Sequence, residues 1–156
     1  MDNFIIEIYE KIRILNPLHA KKIKKVLNQS NNCYFERANK FFQKYIKLLN
    51  KQNRTIDYAI ECYLNMIADL TTETILFSQT GKYSSYTFEE VKNRVYDNPQ
   101  IMEYYMHGLL MSQFLWKQHY QILDYYIQTL PTYSSKIKKY LEIGAGHGLY
   151  LDAAIN

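Results

Sequence analysis

Apolar side chains recur at three- and four-residue intervals along most of this chain, and that period predicts helices. Phe4, Ile5, Ile8, Ile12 and Leu15 form the first stripe, over residues 2–15. Asn16-Pro17 restarts the chain, because asparagine caps a helix and proline suits its first turn. The second helix, about 17–28, turns Leu18, Ile23, Val26 and Leu27 inward, with Lys21, Lys22, Lys24 and Lys25 mostly around the other side. A polar loop from Asn28 to Asn32 leads to a third helix, about 33–51, carried by Phe35, Ala38, Phe41, Phe42, Tyr45, Leu48 and Leu49. A fourth, about 56–79, has a wide apolar face that predicts deep burial, and Gly81 is its expected stop. Thr87-Phe88-Glu89-Glu90 reads as a capping box that starts a short helix, about 88–96. Asn98-Pro99 launches the longest element, whose apolar face runs from Ile101 to Leu130 until Pro131 ends it, with a bend expected at Gly108.

After a turn-rich connector, about 132–139, the pattern changes. Tyr140–Ile143 reads as a short strand that runs into Gly144-Ala145-Gly146-His147-Gly148. The organisation expected is a helical region over residues 1–131, the connector, and the start of a second, α/β unit over 140–156.

Composition narrows the class without naming a function. A chain of 156 residues, 47% hydrophobic and 22% charged, is long enough for one domain with a real core. Glycine (5) and proline (3) are scarce, in keeping with long regular elements. Tyrosine is abundant, with 16 copies, and its apolar body and polar tip suit the rim of a core or the wall of a pocket. A net charge of +4 does not by itself argue for nucleic acid. The N-terminus lacks a basic signal region, and no run approaches the roughly 18 apolar residues that span a bilayer. Cys33 and Cys62 have no metal or redox spacing and read as reduced thiols of a cytoplasmic protein.

Three readings compete for the glycine-rich turn. A dinucleotide site wants G-x-G-x-x-G, but here the third glycine comes one position early and Leu149 takes its place. That fingerprint also puts its acid about 20 residues downstream, not before the turn. A ligand-free turn is the second reading, although three alternating glycines exceed what a bend requires. The third starts from Leu141-Glu142-Ile143-Gly144-Ala145-Gly146-His147-Gly148, an apolar–acid–apolar run into G-x-G-x-G. This resembles the first motif of class I S-adenosylmethionine-dependent methyltransferases. The resemblance covers about residues 139–156. It implies a Rossmann-like domain beginning at Tyr140 and adenosylmethionine as the cofactor, with Glu142 near its methionine amino end. Gly144, Ala145, Gly146 and Gly148 would pass beneath the methionine and ribose portion. It also implies that the remaining motifs lie beyond Asn156, so the chain alone is expected to be inactive. The helices ahead of the turn resemble, more loosely, the helical segment that closes over the site or forms a dimer in many such enzymes.

The reaction implied is transfer of the sulfonium methyl to a small-molecule acceptor, without nucleic acid or membrane as partner. Tyr105 and His119 on the long helix are the candidates for a catalytic role, a histidine being able to take a proton from the acceptor. Packing of their helix face is the competing explanation. The histidines suggest no metal site: His107 and His119 point about 120° apart at about 3.6 residues per turn. His147 occupies a variable position of the motif, and the lysines of residues 21–25 read as a solvated face. The alternative function is a non-enzymatic helical interaction module with a vestigial glycine turn.

Overall fold

The computed structural model describes residues 3–134 and 136–155. The expected helix start at Asp2, Ser135 of the connector, and the terminal Asn156 lie outside the described residues. The helices are α1 (Phe4–Leu15), α2 (Pro17–Gln29), α3 (Asn32–Lys51), α4 (Ile56–Thr80), α5 (Phe88–Val91), α6 (Pro99–Leu115), α7 (Lys117–Ser134) and α8 (Leu149–Ile155). A π-helical turn over Lys92–Tyr96 continues α5.

Side-chain caps set most of the starts, satisfying N–H groups that a helix leaves unpaired. The carboxamides of Asn16 and Asn31 accept from His19 and Tyr34, each at 3.0 Å. Asn98 accepts from Gln100 and Ile101, and Thr87 with Glu90 closes the reciprocal capping box. Gly81 ends α4 in the left-handed conformation, φ 68°.

The core lies among α1, α3, α4 and α6, with α4 and α6 forming the principal pair. Ile5, Ile8 and Ile12 of α1 meet Phe42 and Leu49 of α3, Ile60, Tyr63 and Met66 of α4, and Met111 and Leu115 of α6 in one cluster. Gly108 is what lets α4 and α6 approach: a Cβ there would stand 2.9 Å from Met66 Cβ.

Gly108 does not bend the long helix. The break falls at Trp116, which takes an extended conformation (φ −116°, ψ 129°) and separates α6 from α7. The break leaves the last carbonyls of α6 without helical partners. Two of them are taken up: Trp116 N–H donates to Ser112, and the Tyr34 hydroxyl donates to Phe114 at 2.5 Å. Pro131 does not end α7, which continues to Ser134. Proline disturbs the turn before it rather than the residues after it, and here only the last turn follows.

The expected α/β character is overturned. Among the described residues the chain is all-helical, and Tyr140–Ile143 forms no strand. A strand exists through its ladder, and even two paired strands are marginal in water. No described segment pairs with this one, and Leu141 and Ile143 stand 82% and 90% exposed. The start of a Rossmann-like domain at Tyr140 is therefore not formed. Deep burial along the whole of α4 is also corrected. Ala59, Ile60, Cys62, Tyr63 and Met66 are buried, whereas Leu70, Ile75 and Phe77 are exposed.

Candidate functional site

Local conformation at the glycine turn demands glycine. Gly144, Gly146 and Gly148 have φ of 73°, 51° and 71°, where any Cβ is strained. A Cβ on Gly144 or Gly148 would meet nothing within 4 Å, so the backbone there is open. Gly146 is exposed, and a Cβ there would lie 3.6 Å from the Gly144 carbonyl and 3.9 Å from Met106 Sδ of α6. The Gly148 N–H closes the turn by donating to the Ala145 carbonyl at 2.8 Å, and α8 follows.

Tyrosines seat this segment on α6 and α7. Tyr150 Oη donates to Oε1 of the buried Gln113 at 3.1 Å, while the Gln113 amide reaches back to the Leu109 carbonyl. Tyr126 Oη lies 3.1 Å from both Tyr140 Oη and the Tyr150 carbonyl, and its single proton serves one at a time. Tyr140 in turn donates to Glu142 Oε2 at 3.3 Å. This hydroxyl chain ends on a half-buried carboxylate beside the open glycines. The neighbouring Tyr126 hydroxyl and the Glu142 charge raise the Tyr140 pKa, so the phenol stays a donor.

One histidine lies within the turn and another stands on α7. His147 Nδ1 accepts the Leu149 N–H at 3.2 Å, and its ring lies parallel to Tyr150. Burial lowers its pKa; Glu142 opposes that shift and His119 adds to it. His119 sits on α7 with Nδ1 2.7 Å from Ser112 Oγ. Because the Ser112 hydroxyl donates to the Leu109 carbonyl, the geometry puts the His119 proton on Nδ1 and leaves Nε2 basic. Burial also keeps this imidazole below its usual pKa.

Of the residues singled out from sequence, Glu142, Gly144, Ala145, Gly146 and Gly148 lie together in the turn. His119 stands on α7, where its ring nitrogen pairs with Ser112 of α6. Tyr105 is different: it packs half-buried against the core of the bundle. His107 serves the bundle, with Tyr45 Oη 2.5 Å from Nδ1 and Arg54 3.3 Å from Nε2. Sequence reasoning missed Tyr126, Tyr140 and Tyr150 as the docking groups, although the abundance of tyrosine was a signal for such rim contacts.

Among the described residues no group of three or more His, Cys, Asp or Glu could hold a metal ion, and no helix is long and apolar enough to cross a membrane. No protein-family model, curated protein or solved structure matches the chain. What the arrangement offers chemically is a carboxylate with spare acceptor capacity and a turn of three left-handed glycines with space around Gly144 and Gly148.

Proposed function

We propose that the glycine turn binds the methionine end of S-adenosylmethionine, and that the chain contributes this contact to a methyltransferase acting on a small molecule. The observation that carries the reading is a half-buried Glu142 carboxylate, met by Tyr140, two residues ahead of a turn with three left-handed glycines. Adenosylmethionine is cationic at its amino group and sulfonium, and a carboxylate is the complementary hydrogen-bonding partner for such a ligand. The cofactor supplies the activated methyl; the protein's part is orientation and electrostatics. His119 Nε2 is the group suited to take a proton from an acceptor.

A helical interaction module is the second reading, favoured by the exposure of Leu141 and Ile143. Amide NMR separates the two. Titration with adenosylmethionine is expected to move the Gly144, Gly146 and Gly148 signals with a Kd of about 1 mM, near −4 kcal/mol. Glu142→Gln should weaken that binding about tenfold, the scale of one charge-assisted hydrogen bond. Glycine signals that stay in place, or a Glu142→Gln variant that binds equally well, would favour the interaction module.

A further inference from the structure

On another side of the α6–α7 junction, α2 and the outer half of α4 enclose a groove of about 730 Å³. That volume falls in the range of small-molecule pockets, about 300–1,000 Å³. Its walls are largely aliphatic: Leu18, Ile23 and Val26 from α2 face Ile67, Leu70 and Ile75 from α4. Leu18 and Ile75 remain 76% and 51% exposed, so the bundle does not fill the space itself.

The floor is pre-formed. Trp116, at the helix break, lines the groove, and its indole N–H donates to Tyr63 Oη at 2.8 Å. Tyr63 is fully buried, and its hydroxyl lies 2.6 Å from Nε2 of His19. Burial and the Lys22 charge lower the His19 pKa to about 4, so the imidazole is neutral and accepts the Tyr63 proton. The indole N–H, the Tyr63 hydroxyl and His19 Nε2 are thus paired in series, which holds the indole in place as a wall of the groove.

Charge in the lining has one sign. Lys22 and Lys117 are both present, and no Asp or Glu is. Lys117 Nζ contacts only the neutral Gln29 amide, at 3.2 Å, and neither lysine has a salt bridge among the described residues. An apolar trough with two uncompensated cations is complementary to one kind of small molecule.

We propose that this groove binds a single-chain amphiphilic anion, with its apolar body between α2 and α4 and its anionic head met by Lys22 and Lys117. The site is separate from the glycine turn and does not depend on what that turn binds. Trp116 is the chain's one tryptophan, so its emission reads the groove directly. Submicellar dodecanoate should change that emission saturably, and dodecyltrimethylammonium should not. Lys22→Glu with Lys117→Glu should weaken dodecanoate about tenfold, reversing two ion pairs of modest strength each, and should admit the cationic amphiphile. Leu18→Glu, at an exposed position, should also weaken dodecanoate while leaving the circular dichroism of the protein unchanged. Equal binding of the two amphiphiles, or unaltered dodecanoate affinity in these variants, would overturn the proposal. A dimer whose formation alone shifts Trp116 emission would overturn it as well, assigning the groove to a second copy.

Discussion

The helices from Phe4 to Leu115 and the segment from Lys136 to Ile155 are held in different ways. In the first, packing dominates: Phe42, Leu49, Met66 and Met111 are all 0% exposed, and Phe41 stacks on Phe114 at 4.8 Å. In the second, Tyr126, Tyr140 and Tyr150 reach partners through their hydroxyls, and no residue of α8 is fully buried. Apolar burial contributes in proportion to area and tolerates little disruption of shape. Hydrogen bonds at a rim exchange with water and contribute about 1 kcal/mol each. The bundle should therefore set global stability, with the glycine segment as a locally docked element that opens at lower cost.

The largest expected effect comes from crowding the α4–α6 contact. Gly108→Val places new carbons against Met66 Cβ, 2.9 Å from the glycine's missing Cβ, where backbone as well as side chain must move. Overpacking of this kind costs about 1–3 kcal/mol, although replacing glycine inside an exposed helix normally stabilises it. Urea denaturation followed by circular dichroism reads the change. Because Met106 and Gln113 lie on the same helix, the tail should loosen too, seen as faster amide exchange in α8. A variant as stable as the parent would mean that α4 and α6 are not in this contact.

Local signals were legible wherever the physics was local. Asn16, Thr87 and Asn98 act as caps because a cap needs only residues within one turn of itself, whereas the cap at Asn31 reads as part of a polar loop. The helix stripes were legible because one face of a 3.6-residue period declares itself without reference to a partner. Tyr140–Ile143 failed for the complementary reason: a short apolar run before a glycine turn suggests a strand, but its ladder must come from elsewhere. The break at Trp116 was equally hidden, since the residues that hold its indole, Tyr63 and through it His19, are distant in sequence. Three left-handed glycines were readable from G-x-G-x-G. The tyrosine chain leading to Glu142 was not, because it joins α7 to residues on both sides of the turn.

Acid should separate the two regions more gently. His19 in the bundle and His147 in the tail both have lowered pKa values, His19 to about 4 from an ordinary 6.5. The unfolded chain therefore binds protons that the folded one refuses, so stability is full above about 6.5 and falls as the pH drops toward 4. His19→Gln should flatten the dependence of the urea midpoint between the ordinary histidine pKa of 6.5 and the lowered value of about 4. His147→Gln should flatten it less, because undocking the tail lets His147 protonate without unfolding the bundle. Equal flattening by both would place the tail inside the cooperative unit.

The smallest effect tests the reading of Tyr140–Ile143 itself. Leu141 and Ile143 project into solvent on an unpaired backbone, so Leu141→Ser with Ile143→Ser removes almost no buried area. Exposed substitutions of this kind stay within about 0.5 kcal/mol. The same pair of changes in a strand with one face against helices would cost several times more, since a fully buried leucine or isoleucine contributes about 1.5–3 kcal/mol. Denaturation of the double variant thus distinguishes a rim segment held by tyrosine hydroxyls from a strand held by apolar contact. A loss above about 1 kcal/mol is incompatible with the exposure of these two side chains, and would move the segment into the same physical class as the bundle.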